Sequence, residues 1–175
     1  MIQKCSNWLV LSEFLKDPLG KHYVRSISRN IGLAHTSVKK HILNLEKENL
    51  VREKNDDLFK HYVANFDNDL FRHYKKMYTV TLLYNSKLIE YLDKKISPNV
   101  IILFGSAAKG EDTKKSDIDI YIEAKENKLD LSKFEKDFEK KIDLFFYQNI
   151  NKVPKNLRNN IVNGTKLQGF LEIWT

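Results

Sequence analysis

Two aspartates, Asp117 and Asp119, follow the pair Gly105-Ser106 after a gap of ten residues in the run LFGSAAKGEDTKKSDIDIYIE, Leu103 to Glu123. Carboxylates two residues apart on an extended segment leave it on the same side, so the pair can share a divalent cation. The Gly-Ser turn offers different chemistry. Ala107, Ala108 and Lys109 are good helix formers, so a short helix starting at the turn would aim its free backbone N–H groups at an anion, and a triphosphate suits that position. A third acid, Asp143, lies in KKIDLFFY, which reads as another strand of the same sheet. Three carboxylates can hold two magnesium ions. Magnesium favours hard oxygen ligands and keeps several waters, so a few carboxylates and the substrate phosphates complete its shell. No histidine or cysteine cluster competes for metal.

These groups need elements to position them. Val100 to Phe104 is a short, largely β-branched run that ends in glycine, as a buried strand often does. From Asp117 to Ile122 polar and apolar residues alternate, so the aspartates project from one face of a half-buried strand while the isoleucines pack on the other. Ser116 has two readings, a turn residue bonding nearby backbone or a phosphate contact. Further on, Leu157, Ile161 and Val162 predict a short helix, Gly164 its stop, and Leu167 to Trp174 a closing strand.

On these residues the chain resembles the DNA polymerase β-type nucleotidyltransferase superfamily, and within it the minimal nucleotidyltransferases, whose hallmark is Gly-Ser, ten residues, then Asp-x-Asp. Gly105, Ser106, Asp117 and Asp119 match residue for residue. The resemblance implies that Gly105 and Ser106 bind the β- and γ-phosphates of a nucleotide, with Lys109 and Ser116 nearby. It makes Asp117 and Asp119 the principal metal ligands. Asp143 would be the third catalytic acid, ligating the metal nearest the acceptor and assisting removal of its proton. The activity implied is magnesium-dependent transfer of AMP from ATP to a hydroxyl. Many relatives carry arginine after Gly-Ser and again two residues later, whereas Ala107 and Lys109 stand here. Lys109 compensates only as a point charge, not as a fork. In minimal nucleotidyltransferases that act as antitoxins, the resemblance implies AMP transfer to a tyrosine of a partner HEPN-type toxin.

The first third of the chain has helical apolar spacing with pauses. Trp8, Leu9, Leu11, Phe14 and Leu15 mark a first helix, stopped near Asp17, Pro18 and Gly20; Tyr23, Val24, Ile27 and Ile31 mark a second, ended at Gly32. A third stripe runs through Leu33, Val38, Ile42, Leu45 and Leu50. Leu50 to Glu53, a turn at Lys54 to Asp57, and Leu58 to Val63 then read as a β-hairpin. This segment resembles winged helix-turn-helix domains of small transcription regulators. By that resemblance Thr36, Ser37, Lys39, Lys40 and Asn44 would meet the groove of double-stranded DNA, with Lys54 and Lys60 on phosphates. The alternative is a three-helix dimerisation or docking module.

The fold class expected is therefore α+β. A winged helix-turn-helix domain occupies residues 1–65, a connecting helix 66–97, and a nucleotidyltransferase domain with a mixed sheet flanked by helices 98–175. Between Asp67 and Ile96 apolar residues recur at threes, fours and sevens without Gly or Pro, which predicts one long helix capped near Asn65 to Asp69 and ended by Ser97-Pro98. Its role is packing, with a homodimer interface as the other use.

The 175 residues suit two small domains, and Lys+Arg exceed Asp+Glu by 30 to 23. Over residues 1–65 the balance is 11 basic to 7 acidic side chains, which suits a polyanionic partner. The single Cys5 excludes an intramolecular disulfide, and no long apolar span or signal peptide is apparent, so a soluble cytoplasmic protein without membrane contact is expected. Besides the enzyme, two other classes fit. One is a DNA-binding regulator whose nucleotidyltransferase fold only senses nucleotide, and the other is a structural partner.

Overall fold

Three amphipathic helices, a hairpin and a four-stranded mixed sheet realise this spacing in the computed structural model, which describes residues 5–56 and 59–173. The chain divides into two compact units, Met1–Lys75 and Lys76–Thr175. Asp57 and Leu58 of the expected hairpin, and Trp174 of the expected closing strand, lie outside the described residues. No helix among the described residues is long and apolar enough to cross a membrane.

In the N-terminal unit α1 (Ser6–Lys16), α2 (Val24–Ile31) and α3 (His35–Lys47) bury the stripes that predicted them, with Phe14, Leu15, Ile27, Val38, Ile42 and Leu45 in the core. Gly32 ends α2 at φ 67°, a left-handed conformation that costs a side chain about 1 kcal/mol. β1 (Val51–Asn55) and β2 (Lys60–Ala64) pair antiparallel from Val51↔Ala64 to Asn55↔Lys60. His22 adds a short bridge to Tyr62, with reciprocal backbone bonds of 2.9 and 2.8 Å.

The stretch expected as one connecting helix is two, α4 (Asp69–Asn85) and α5 (Leu88–Ile96). The start is capped as expected, Asn68 Oδ1 accepting from the Phe71 N–H at 3.0 Å. The break has a local cause. The Ser86 hydroxyl donates to Leu83 O at 2.8 Å and accepts from Leu88 N–H at 3.2 Å, and Lys87 turns left-handed at φ 65°. A serine able to bond its own backbone competes with the helical ladder, and apolar periodicity does not register that competition. Nor is the segment a separate connector. The division between units falls within α4, and Leu88, Ile89 and Leu92 of α5 belong to the core of the C-terminal unit.

That unit is built on β3 (Val100–Phe104), α6 (Gly105–Lys109), β4 (Ile118–Glu123), α7 (Ser132–Phe138), β5 (Ile142–Tyr147), α8 (Lys155–Val162) and β6 (Thr165–Gly169). The sheet order is β5-β4-β3-β6, with β4 and β5 parallel and the other pairs antiparallel. Both faces are covered. Ile101, Leu103, Ile118, Ile120, Ile122 and Ile142 pack on one side with α5 and α7, while Val100, Ile102, Phe104 and Tyr121 pack on the other with Ile150, Val153 and Ile161. β4 is thus not the half-exposed strand that its alternation predicted. Tyr121 is fully buried on the aspartate side, and only the entry of the strand keeps its polar face open.

Candidate functional site

Asp119 is the second residue of β4 and sits between two neighbours set by register. Phe104 lies opposite on β3, and Asp143 lies opposite on β5. In-register residues of adjacent strands point to the same face, so the two carboxylates share one side of the sheet. Asp117 stands one residue before β4 begins and is exposed, as is Asp143; Asp119 is half-buried. Burial raises the Asp119 pKa above the ordinary carboxylate range, and the charges of Asp143 and then Asp117 raise it further. Three acids therefore meet at one edge without a compensating charge strong enough to hold Asp119 ionised in the usual range.

The turn closes on the same group. Gly105 adopts φ 70°, and a Cβ placed on it would lie 2.3 Å from Asp119 Oδ2. Glycine is required twice here, once by the left-handed backbone and once because the Asp119 carboxylate occupies the space of a side chain. The motif's turn and its carboxylates are thereby one structure. Gly105 opens α6, the short helix that the sequence predicted, and Ser106 O accepts from Glu111 N–H at 2.9 Å. Lys109 is exposed at the last position of that helix.

The loop that brings Asp117 to this edge is pinned from behind. Ser116 Oγ accepts from the Thr113 N–H at 3.0 Å, which is the turn bond its type allows. Asp112, whose side chain is only 1% exposed, receives the Lys140 ammonium at 2.5 Å, and Lys140 also donates to Thr113 O at 2.7 Å. Sequence reasoning missed this pair, because an Asp in a polar run and a Lys beyond α7 carry no mark of burial. Replacing Lys140 by Met is expected to cost about 2 kcal/mol in denaturant unfolding. That is below the ~3–5 kcal/mol typical of a fully buried pair, because Lys140 keeps some access to water.

Among the described residues no three His, Cys, Asp or Glu side chains form a ready-made metal cage. The donor set nevertheless suits magnesium. All five histidines and the one cysteine fall before residue 76, so the C-terminal unit has no imidazole or thiolate to offer a metal. Magnesium is commonly bound by one or two carboxylates with the substrate phosphates, so no closed cage of side chains is required. A cation at this edge would relieve the repulsion that raises the Asp119 pKa.

Residues 86–168 match the family described as Polymerase beta, Nucleotidyltransferase. The match supports the nucleotidyltransferase superfamily for this part of the chain and nucleotidyl transfer as its activity. It begins at the break between α4 and α5, so the nucleotidyltransferase domain includes α5, as the packing of Leu88 and Leu92 requires. It spans the Gly-Ser turn, Asp117, Asp119 and Asp143. No curated protein and no solved structure matches the chain.

The N-terminal candidates are distributed differently. Thr36, Lys39, Lys40, Asn44, Lys54 and Lys60 are exposed, and Ser37 is half-buried. Thr36, Lys39 and Lys60 line one cleft of about 720 Å³, which Ser37, Lys40, Asn44 and Lys54 do not. Lys60 is engaged by Glu53 and lies 5.7 Å from the centre of the Tyr62 ring. Tyr23, which the sequence reading took only as a helix marker, and Arg25 and Phe59, which it passed over, also line the cleft.

Proposed function

We propose that the C-terminal unit transfers a nucleoside monophosphate, AMP from ATP, to a hydroxyl acceptor. The single observation that carries this reading is the closure of Gly105 on Asp119. It welds a phosphate-binding turn to a carboxylate that shares a sheet face with Asp143. Backbone N–H groups at Gly105 and Ser106 hold the β- and γ-phosphates, with Lys109 adding positive charge. Asp117, Asp119 and Asp143 would hold two magnesium ions. When bound, magnesium would supply charge neutralisation at the α-phosphoryl group and the departing pyrophosphate. Asp143, the most exposed acid of the in-register pair, faces the acceptor and assists removal of its proton. The acceptor oxygen bonds to the α-phosphorus as the bond to pyrophosphate breaks. On the resemblance to antitoxin nucleotidyltransferases, the acceptor is a tyrosine hydroxyl of a HEPN-type toxin.

The N-terminal unit, on this reading, is a winged helix-turn-helix that docks double-stranded DNA through α3, a use supported by its order of three helices and a hairpin with a bridge at His22. Lys39→Ala with Lys40→Ala is expected to weaken duplex binding and to lower the salt-dependence slope by about 1 per lost phosphate contact, measured by anisotropy across salt concentrations, with transfer unchanged.

The decisive experiment incubates the protein with α-labelled ATP, GTP, CTP or UTP and magnesium, alone and with co-purified partners, and resolves label on protein, RNA and small molecules. Label that disappears in the Asp117→Ala, Asp119→Ala variant supports the proposal. Nucleotide binding without transfer would replace it with a sensing regulator.

A further inference from the structure

We propose that the cleft of the N-terminal unit binds an unpaired nucleotide, a phosphate with an exposed base, presented free or at the end of a single strand. The cleft, of about 720 Å³, falls within the roughly 300–1,000 Å³ of small-ligand pockets. Two helices begin on its wall: Val24 to Ser26 open α2, and His35 and Thr36 open α3. Neither start is capped by a side chain, and neither first turn contains an acid. The uncapped first turns of two helices therefore border one concavity, and a helix start favours an anion.

Side chains reinforce that field. Arg25, Lys39 and Lys60 line the cleft, and among the described residues no Asp or Glu does. Among the described residues Arg25 and Lys39 form no ion pair, whereas Lys60 is held by Glu53. The wall also carries aromatic rings in contact with water. Phe59 is 68% exposed and Tyr23 36% exposed. A flat ring left bare beside cations suits a base stacked on it while the phosphate meets the cations. Bases inside a duplex are stacked on each other and present only backbone and groove edges, so an unpaired base is the partner that fills the cleft. The cleft shares Thr36, Lys39 and Lys60 with the duplex-facing use of α3, whereas Lys40 and Asn44 lie outside it, so Phe59 is the residue that separates the two uses. The site does not depend on the transferase reading.

The test uses the full chain in a chelator, which removes metal from the nucleotidyltransferase domain. Anisotropy of fluorescent, 5′-phosphorylated single-stranded tetranucleotides is followed, with AMP and a short duplex as competitors. Single strands are expected to bind, and Phe59→Ala to weaken them about tenfold or more, with Phe59→Trp restoring affinity. Arg25→Ala with Lys39→Ala is expected to weaken them and flatten the salt dependence. Phe59→Ala should leave duplex affinity within about twofold, since every duplex base is already stacked. Displacement by AMP means that a free nucleotide suffices; strand binding that AMP does not displace means that the strand end is read. Phe59 is exposed, so its replacement does not threaten folding. Strand affinity unchanged in Phe59→Ala, absence of strand and AMP binding, or a duplex that displaces the strand more effectively than a single strand does would overturn the proposal. The Asp117→Ala, Asp119→Ala variant should bind strands as the parent does, which keeps a failure here separate from a failure of the transferase reading.

Discussion

Replacing Asp117 and Asp119 together with alanine is expected to lower nucleotidyl transfer by roughly a thousandfold or more, because a bound cation contributes several kcal/mol at the reacting phosphate and each ~1.4 kcal/mol is tenfold in rate. Stability should move the other way. The folded-state pKa of Asp119 is raised by burial and by Asp143 and Asp117, so the folded chain holds that proton more tightly than the unfolded chain does. Stability is therefore lost as pH rises from the ordinary aspartate range through the raised value, and at neutral pH the ionised carboxylate is a penalty. Asp119→Asn removes that penalty. In a chelator at pH 7 its thermal midpoint should lie above the parent's, with the difference closing in acid, where the parent is protonated too. Added magnesium should raise the midpoint of the parent and move the variant less. A variant that melts lower than the parent at neutral pH would mean that Asp119 makes a stabilising contact in place of the repulsion described.

Gly105→Ala should damage the transfer site directly. The added Cβ would fall 2.3 Å from Asp119 Oδ2 on a residue whose φ is 70°. The left-handed conformation alone costs an L-residue about 1–2 kcal/mol. The clash is relieved most cheaply by rotating the Asp119 carboxylate away, which spoils the cation site. Transfer should fall about a hundredfold, since a misplacement near 1 Å at a reacting centre costs on that order. Gly32→Ala separates the two causes. Gly32 shares the left-handed backbone at φ 67°, but nothing lies within 4 Å of its would-be Cβ. It should lose about 1 kcal/mol in unfolding and leave transfer intact. Equal losses of transfer in both variants would indicate backbone strain and not the carboxylate as the cause.

Much of the C-terminal site was legible from residue type and spacing. The apolar run Val100–Phe104, the Gly-Ser turn, the short α6 and the acids at the entries of β4 and β5 are all local features, and local features follow from periodicity and propensity. The same holds for α1, α2 with its Gly32 stop, and α3. Local reading misled where a side chain competes with its own backbone, as Ser86 does at the α4–α5 break. It misled also at β4, because alternation marks two chemically different faces and does not show that Tyr121 is covered by Ile150, Val153 and Ile161.

The amino-acid sequence by itself determined which groups could do the chemistry: three aspartates, a glycine able to turn left-handed, and a stretch after residue 76 without histidine or cysteine. Only the tertiary structure decided that Asp119 faces Asp143 across a parallel pair, that Gly105 abuts the Asp119 carboxylate, and that Lys140 anchors Asp112 behind the loop. It also decided that Arg25, Lys39 and Phe59 line a common cleft. The physical reason is the same in each case. Strand register, burial and cavity walls arise when segments far apart in the chain exclude water from one another, and no window of sequence contains both partners.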